Sequence, residues 1–352
     1  MAMYLHGLGV STPEHRLTAD NAIELAHRVC CENTKHERVS SVVHQKSGVA
    51  ERRTCVPFTD ALAWEEEPEG PTIATRAEWY EANAGPLAVE SARLALSDAG
   101  VAGESITHLV TVTCTGFEAP GVDVALIHQL RLPATVQRVQ VGFMGCHGAI
   151  NGLRVANGLL AAEPDAKVLL VATELCSVHY AFRWDLERMA GNALFADGSG
   201  ALVATSSPQQ DSGWRLAATG SCLLPGTESL LSWRVRDHGF EMGLSAKLPD
   251  AILAHLGDWL PRWLGEQGLS LGDVGCWAIH PGGPRILTAS RAALGLPDVV
   301  TAASEDVLRD HGNMSSATLL FVLKRLQQAT AQPPCVMLGF GPGVVAEAAL
   351  WR

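Results

Sequence analysis

The sequence predicts an α/β protein whose strands lie beneath helices on both faces. Three observations support this fold class. Hydrophobic residues make up 47% of the chain and aromatic residues only 6%, a composition typical of buried aliphatic strands. Short Val-rich apolar runs end at glycines, and segments with helical spacing separate these runs. Such alternation indicates parallel βαβ units, and a length of 352 residues indicates two domains or one large unit.

The first elements are a strand and two helices. The segment "MYLHGLGVSTP" predicts a strand closed by a turn, and "TADNAIELAHRVCC" predicts a helix that begins at a Thr or Asp cap. Residues 56–72 contain Pro, Gly and a run of Glu, which predicts a surface loop. The long helix "TRAEWYEANAGPLAVESARLALSDAG" follows and ends at Gly100, because glycine commonly terminates helices.

The alternation continues to about residue 205. Strands are predicted at "SITHLVTVTCTG", "VQRVQVGF" and "AKVLLVATELC", with helices at "GVDVALIHQLRL" and "HGAINGLRVANGLLAAEP" between them. The segment "NALFADGSGALVATSS" predicts two short pieces divided near Gly198 and Gly200. The polar stretch "SPQQDS" predicts a domain boundary, which divides the chain into an N-terminal half, 1–208, and a C-terminal half, 209–352.

The C-terminal half repeats this plan loosely. A helix-rich stretch begins at Pro249, "DVGCWAIHPGG" predicts a strand that ends in polar residues and glycines, and "GNMSSATLLFVLKRLQQ" predicts a helix. The closing "CVMLGFGPGVVAEAALW" predicts a strand, a glycine turn and a second strand. This layout resembles "KVLLVATEL" followed by "LFADGSGALVA", which is weak support for two similar halves.

Charge and cysteine usage exclude several classes of function. The net charge of −11 and the lack of a basic stripe argue against nucleic-acid binding. Nine irregularly spaced cysteines form neither a CxxC pair nor a metal-binding pattern, which predicts free thiols in a reducing compartment. The N-terminus lacks a signal-peptide pattern, and no apolar run approaches the ~18 residues of a membrane span. A cytoplasmic protein without a metal is expected.

One cysteine stands out by its position. Within "QVGFMGCHGAINGLRVANG", Cys146 follows a predicted strand and precedes a predicted helix. Only the thiolate is a nucleophile, and the free N–H groups of a helix start favour negative charge on sulfur. The flanking glycines allow a bulky thioester to approach the backbone. An isolated cysteine is more often simply buried, and this interpretation is kept for the others without such a turn: Cys30, Cys31, Cys55, Cys222, Cys276 and Cys335.

Two polar residues at strand ends and helix starts are candidate partners. His280 closes the apolar run "GCWAI", so its imidazole is expected at the sheet edge. Asn313 lies in "HGNMSS" before a helix, where its amide could face a ligand. Taken singly, a buried core histidine and a helix cap explain these two residues better.

Four motifs together resemble the type III polyketide synthases, the chalcone synthase-like enzymes of plants and bacteria within the thiolase superfamily. They are "GFMGCHGAINGLRVA", "WAIHPGGPRIL", "HGNMSSATLLFVL" and "GFGPG", in the order of the family, and the earlier "KSGVAERR" is also similar. The resemblance implies a thiolase fold of two similar βαβαβ halves, which form a five-layered α-β-α-β-α core. It also implies a homodimer that uses a starter acyl-CoA and malonyl-CoA, with no further cofactor.

The resemblance also implies roles for individual residues. Cys146 corresponds to the acyl-carrying nucleophile, His280 to the catalytic histidine and Asn313 to the catalytic asparagine. Phe195 and Phe240 correspond to two aromatic gatekeepers between the coenzyme tunnel and the cavity. The expected chemistry is loading of a starter on the Cys146 thiolate, stabilised by protonated His280, followed by decarboxylative Claisen condensation with malonyl-CoA and cyclisation or release, for example as a pyrone or resorcinol.

Other positions are expected around the substrate. Plant members carry threonine where this chain has cysteines in the cavity, which indicates a bacterial enzyme. The expected cavity wall comprises Cys114, Thr115, Cys176, His179, Leu194 and Ser315. The expected partners of the coenzyme A phosphates are Lys46, Arg52, Arg53 and Arg285. His147 is expected to pack against the helix that follows it, because the base role is already filled.

Two alternatives remain open at this stage. A single-condensation 3-oxoacyl synthase shares the Cys, His and Asn set, although "GFGPG" and "HPGGP" argue against it. Its only product would be one 3-oxoacyl thioester. A non-catalytic thiolase-fold partner subunit is the alternative of another class, and failure to accept any acyl group from CoA thioesters would support it.

Overall fold

A nine-stranded mixed sheet organises the computed structural model, which describes residues 2–64, 67, 69–208 and 214–352. The order of its strands is β11-β12-β13-β8-β1-β7-β6-β4-β5. Their bounds are β1 Met3–Ser11, β4 His108–Thr113, β5 Gln137–Gly142, β6 Lys167–Leu175, β7 Asp197–Thr205, β8 Arg215–Leu223, β11 Cys276–Ile279, β12 Cys335–Gly341 and β13 Val345–Trp351. Two small antiparallel sheets lie beside the main sheet: β2 His15–Thr18 pairs with β3 Glu51–Thr54, and β9 Leu231–Arg236 forms a hairpin with β10 Gly239–Leu244.

The same arrangement of four strands occurs twice. In the run β4-β6-β7-β1 the first pair is parallel and the next two are antiparallel, and β11-β12-β13-β8 repeats these directions. The runs join where Met3 and Tyr4 of β1 pair with Leu216 and Arg215 of β8. Two similar halves are therefore confirmed, although their sheet is mixed and not purely parallel. The predicted boundary at 208/209 stays a prediction, because residues 209–213 lie outside the described residues.

Eleven α-helices occur in the described residues. Their bounds are α1 Ala19–Val29, α2 Thr34–Gln45, α3 Phe58–Leu62, α4 Ile73–Ala99, α5 Val122–Gln129, α6 Gly148–Ala162, α7 Leu186–Leu194, α8 Leu248–Glu266, α9 Pro284–Leu294, α10 Ala302–His311 and α11 Thr318–Gln328. As predicted, α4 ends at Gly100, whose φ of 62° suits glycine. The predicted loop at 56–72 contains α3, a short helix that the Pro and Glu content concealed.

Buried apolar side chains define five layers. Helices α4 and α5 cover the outer face of the N-terminal half through residues such as Leu96 and Leu126. Helices α6 and α11 fill the centre between the halves, with Leu153 and Leu320 buried there. Helices α8 and α9 cover the outer face of the C-terminal half. This confirms the α-β-α-β-α core. None of the helices in the described part of the chain combines the length and apolar character that a membrane crossing requires.

The segment around Gly198 and Gly200 differs from its prediction. It forms one continuous strand, β7, and not two short pieces. A Cβ atom at Gly198 would lie 2.4 Å from the sulfur of Met314, and one at Gly200 would lie 2.7 Å from Cβ of Leu320. These glycines therefore allow β7 to approach the central layer closely, and they do not mark a turn.

Candidate active site

Cys146 lies in a tight turn between β5 and α6. Gly145 before it has a φ of 80°, and a Cβ atom there would lie 2.3 Å from Cδ of Pro342. The Gly145 N–H donates to the sulfur of Cys114 at 3.1 Å, and Gly148 N–H donates to the Gly145 carbonyl at 2.9 Å. Only glycine fits at position 145, so the backbone of the turn that carries Cys146 depends on Gly145.

The side chains of Asn313 and Ser315 lie close enough to the sulfur of Cys146 to lower the pKa of its thiol. Asn313 is 1% exposed, and its Oδ1 atom accepts from Ser315 N–H at 2.9 Å. Ser315 is also buried and has a φ of 47°, which is uncommon for a residue with a side chain. The two turns that carry Cys146 and Asn313 come from different halves of the fold.

His280 begins the loop after β11, and its N–H donates to the Leu338 carbonyl at 2.8 Å. Its imidazole is 1% exposed, and neither ring nitrogen has a hydrogen-bond partner among the described residues. The charge of His147, the neighbour of Cys146, acts on it. The structure thus places His280 near the Cys146 turn and leaves both ring nitrogens available, although no hydrogen bond joins its ring to the sulfur.

Burial dominates the ionisation of both groups. It raises the pKa of the Cys146 thiol to about 12, although hydrogen bonds from Ser315 and Asn313 act in the opposite direction. Burial also lowers the pKa of His280 to about 3, and His147 adds to this effect. Each group alone therefore favours its neutral form. Only formation of both charges together, as a thiolate and an imidazolium, would offset the cost of burying either one.

The buried carboxyl group of Glu174 joins the Cys114 and Ser316 segments of the site through hydrogen bonds. This residue was not predicted from the sequence. It is 0% exposed and accepts hydrogen bonds from the Ser316 hydroxyl at 2.5 Å, the Thr115 hydroxyl at 2.8 Å and the Cys114 N–H at 2.9 Å. Burial raises its pKa. The available signal was an acidic residue within the otherwise apolar strand "KVLLVATELC".

A small pocket of about 40 Å³ lies at Cys146. Of the six residues predicted for the cavity wall, four line it: Cys114, Thr115, Cys176 and Ser315. Leu194 does not, because it lies against Gly283, where a Cβ atom would be 3.5 Å from Leu194 Cδ1. The place of Leu194 in the cavity wall stays a prediction. His280 and Asn313 lie beside this pocket and not in its lining.

A second cavity of about 400 Å³ adjoins the pocket. Four residues line both spaces: Cys176, Phe195, Trp233 and Met242. Phe195 therefore lies at the junction of the two, at the end of α7. The volume is within the range of ordinary small-molecule sites.

Phe240 belongs to the wall of the larger cavity and stacks on His179, with ring centroids 4.0 Å apart. His179 shares a hydrogen bond with the Thr115 carbonyl through Nε2 at 2.7 Å and accepts the Phe240 N–H at Nδ1. Because Nδ1 accepts, Nε2 carries the proton, and burial lowers the pKa of His179 to about 3. His179 therefore lines the larger cavity as a neutral ring that fixes Phe240.

One wall of the Cys146 pocket was not predicted from the sequence. The β9–β10 hairpin contributes Leu231, Ser232, Trp233 and Met242 to the Cys146 pocket. The indole N–H of Trp233 donates to the Cys114 carbonyl at 2.7 Å, which ties the hairpin to the turn after β4. No strand was predicted there, because this pair lies outside the main sheet and its residues are only partly buried.

The predicted coenzyme A residues have different positions. Lys46 is exposed at the end of α2, and the next loop contacts the start of α9, since a Cβ at Gly48 would lie 3.0 Å from Pro284. Arg285 of α9 is 66% exposed by its side chain. Arg53 is partly exposed and donates to the Glu14 carbonyl at 2.8 Å.

Arg52 differs from these three because it is 2% exposed, and its Nη1 donates to the Phe195 carbonyl at 2.8 Å. A buried guanidinium bonded to the backbone is not a surface cation for a phosphate. The prediction for Arg52 is therefore corrected.

No group of three or more His, Cys, Asp or Glu residues in the described ranges is arranged to hold a metal ion.

Comparison with protein families gives matches over both halves. The family model for the N-terminal domain of chalcone and stilbene synthases matches residues 2–208, and the model for the C-terminal domain matches residues 215–352.

Individual relatives and solved structures agree with these matches. The chain is 35% identical to the alpha-pyrone synthesis polyketide synthase-like protein Pks18 of Mycobacterium tuberculosis, over 99% of this chain and 90% of that protein. It is 34% identical to a 1,3,6,8-tetrahydroxynaphthalene synthase of Streptomyces peucetius, over 97% and 90% of the two chains. The crystal structure of PKS-I from the brown alga Ectocarpus siliculosus superposes with a TM-score of 0.92 at 30% identity, covering 100% of this chain and 98% of the other.

Proposed function

Because the chain belongs to the chalcone and stilbene synthase family and is a type III polyketide synthase, we propose that Cys146 carries the growing acyl chain while His280 and Asn313 assist condensation. One observation carries the assignment: the side chains of Asn313 and Ser315, which are far from Cys146 in the sequence, lie close enough to its sulfur to lower the pKa of the thiol. The two unpartnered ring nitrogens of buried His280 support it.

Loading begins with Cys146. Its thiol transfers the proton to His280 as the sulfur attacks the thioester carbonyl of the starter. The bond from carbon to the coenzyme sulfur breaks, and coenzyme A leaves as a thiol with the proton from the imidazolium. The acyl group remains on Cys146. Because burial disfavours either charge alone, the proton passes directly between Cys146 and His280.

Extension then uses malonyl-CoA. Loss of carbon dioxide leaves an enolate, whose oxygen accepts hydrogen bonds from the His280 ring and the Asn313 amide. The enolate carbon attacks the acyl carbonyl on Cys146, a carbon–carbon bond forms and the cysteine thiolate departs. The chain is longer by two carbons and is carried on coenzyme A. These steps use coenzyme A thioesters and side chains of this chain alone.

The first experiment tests the oxyanion role separately from loading. Malonyl-CoA decarboxylation is measured by release of carbon dioxide in His280→Ala and Asn313→Ala. Removal of one such donor is expected to slow the reaction on the order of a hundredfold or more. Cys146→Ala is the matched control, because decarboxylation needs no acyl carrier and is expected to persist while polyketide formation is lost. Unchanged decarboxylation in both variants would contradict the assignment.

We further infer that the 400 Å³ cavity receives the tail of an acyl starter. It adjoins the Cys146 pocket through Cys176, Phe195, Trp233 and Met242, and the aromatic and sulfur side chains at this junction suit the apolar part of the tail. Charged side chains such as Arg76, Arg188 and Glu241 line the rest of the cavity, so the apolar contacts are made at the junction. A pyrone product, as in the name of the mycobacterial relative, fits release after few extensions.

The second experiment combines a panel of acyl-CoA starters with malonyl-CoA and identifies products by mass spectrometry. Wild type is expected to form pyrones from starters with long tails. Cys176→Phe, which narrows the junction, is expected to lose long starters and retain short ones. Cys222→Phe, at a half-buried position remote from both cavities, is the size-matched control. Equal starter preference in the two variants would contradict the tail site, and a single 3-oxoacyl thioester from wild type would favour one condensation only.

Assembly and binding of the coenzyme are part of the same proposal. We propose a homodimer formed through the edge strand β5. Val139 on this strand and Phe143 and Met144 after it expose between 39% and 42% of their surface, and nearby Phe117 exposes 59%.

Lys46 and Arg285, which lie on segments near one another, are proposed to bind the coenzyme A phosphates together with Arg53 of strand β3. A cytoplasmic location is proposed from the cysteine usage of the sequence.

A further inference from the structure

Arg52 is a buried cation whose position no proposed catalytic step explains. It lies on β3, is 2% exposed and has no carboxylate within ion-pair distance in the described ranges. Burial lowers its pKa, while the charge of Asp197 acts in the opposite direction. Burying a guanidinium without a close ion partner is costly, so its contacts are informative.

The first contact is with the backbone of Phe195. Arg52 Nη1 donates to the Phe195 carbonyl at 2.8 Å, and the Phe195 N–H donates to the Gly191 carbonyl at 2.9 Å in the last turn of α7. Asp197, two residues later, accepts from Cys55 N–H at 2.6 Å and from Ser177 N–H at 2.7 Å. Bonds from three different elements thus fix the peptide on both sides of the Phe195 ring.

The second contact is with the segment that carries Asn313. Asn313 N–H donates to the Leu194 carbonyl at 2.8 Å, and Ala196 N–H donates to the Asn313 carbonyl at 2.9 Å. A Cβ atom at Gly312 would lie 3.4 Å from Cβ of Arg52 and 3.1 Å from the Leu194 carbonyl oxygen. The side chain of Arg52 therefore packs against the residue that precedes Asn313.

We propose that Arg52 is a positioning residue that couples Phe195, at the junction of the two cavities, to Asn313, which contacts the Cys146 sulfur. Its guanidinium holds the Phe195 carbonyl while its aliphatic stem packs on Gly312, so the segments 194–197 and 312–313 keep one relative placement. This inference rests on the proposed roles of Phe195 and Asn313. It explains why a buried guanidinium donates to a backbone carbonyl and not to a carboxylate.

Loss of the Arg52 contact is expected to affect acylation of Cys146 and decarboxylation of malonyl-CoA to different extents. Loading of Cys146 uses the sulfur and His280, whereas malonyl-CoA decarboxylation also needs a hydrogen bond from the Asn313 amide to the enolate oxygen. Loss of the Arg52 contact is expected to shift that amide, and a misplacement of about 1 Å reduces such a step on the order of a hundredfold. Displacement of Phe195 also admits water, so more starter is hydrolysed for each condensation.

The test measures three quantities in Arg52→Met and Arg52→Lys: acylation of Cys146 by intact mass, carbon dioxide release from malonyl-CoA, and the ratio of free starter acid to polyketide. In Arg52→Met we expect acylation within about twofold of wild type and decarboxylation slower on the order of tenfold to a hundredfold. The acid to polyketide ratio is expected to rise. Arg52→Lys, which keeps the charge and a donor, is expected to recover part of the decarboxylation rate.

Chemical rescue and a surface control complete the experiment. Guanidinium ion at low concentration, compared with sodium chloride, is expected to restore decarboxylation in Arg52→Ala, because Arg52 lines the 400 Å³ cavity, which gives the ion access. Arg16→Met, a surface change on the paired strand β2, is expected to behave as wild type.

Three results would overturn the positioning role. The first is an equal loss of acylation and decarboxylation that guanidinium ion does not rescue, and the second is no change in any of the three measured quantities. The third is that Arg52→Met and Arg52→Ala are insoluble while Arg52→Lys is identical to wild type. Absence of polyketide from the wild-type chain would instead refute the proposed function.

Discussion

At the scale of single residues, the active-site candidates are polar groups that are costly to bury. Cys146 and His280 each favour the neutral form, because burial raises the pKa of the thiol to about 12 and lowers that of the imidazole to about 3. A reactive thiolate at neutral pH therefore requires His280 as its counter-ion. Asn313 and Ser315 lower the pKa of the thiol through hydrogen bonds but do not compensate its charge.

This dependence predicts a difference in alkylation of Cys146 by iodoacetamide. The imidazolium of His280 stabilises the thiolate, so wild type is expected to react quickly near pH 7. In His280→Gln the raised pKa of the thiol is not offset, and the reaction is expected to be at least about tenfold slower at pH 7 and to accelerate only at alkaline pH. The measurement is the alkylation rate against pH, followed by peptide mass. Coincident pH profiles would show that no ion pair forms.

At the scale of secondary-structure elements, turns place the reactive groups. Cys146, His280 and Asn313 all lie where a strand or helix begins or ends, and the β9–β10 hairpin closes the pocket from one side. The turn before α6 depends on Gly145, because its φ of 80° and its contact with Pro342 exclude a side chain. The helix itself tolerates change better, since Gly158 on its exposed face has open space for a methyl group.

A pair of matched substitutions tests this contrast. Gly145→Ala is expected to destabilise the fold by about 1–3 kcal/mol through backbone strain and to reduce activity, because the Cys146 turn must move. Gly158→Ala is expected to stabilise it by about 0.5–1 kcal/mol with activity unchanged. The free energy of unfolding comes from denaturant titration. Similar stability changes of the same sign in both variants would mean that the turn is not strained.

At the scale of the whole molecule, two similar halves enclose the central helices and leave β5 as an edge strand. Its residues are mostly exposed, and apolar side chains at positions 117, 143 and 144 lie next to it. An unpaired edge with an apolar surface is a natural site for a second copy of the chain, because a two-fold axis can pair the same surface with itself.

Disruption of this surface is therefore expected to change the mass in solution. Val139→Lys places a charge on the edge strand, and we expect it to convert a dimer into a monomer in sedimentation velocity. Val299→Lys, at a site that is 74% exposed elsewhere on the molecule, is expected to leave the mass unchanged. A wild-type monomer, or a dimer that Val139→Lys does not affect, would exclude this interface.

The sequence by itself determined the alternation of strands and helices and the motifs that point to Cys146, His280 and Asn313. These features are local, since periodicity, glycine turns and short motifs extend over a few residues. It also indicated the family, because those motifs occur in a specific order along the chain.

Tertiary structure decided which surfaces meet. From the sequence, Arg52 is expected to be a surface cation like most arginines. Only its packing against Gly312 and its hydrogen bond to the Phe195 carbonyl show that it is buried. Gly198 and Gly200 suggested a break, yet contact with the central layer makes them part of one strand. Glu174 and the β9–β10 hairpin contribute to the site through partners far away in the chain. Burial and long-range contacts depend on how whole layers pack, which no short segment encodes.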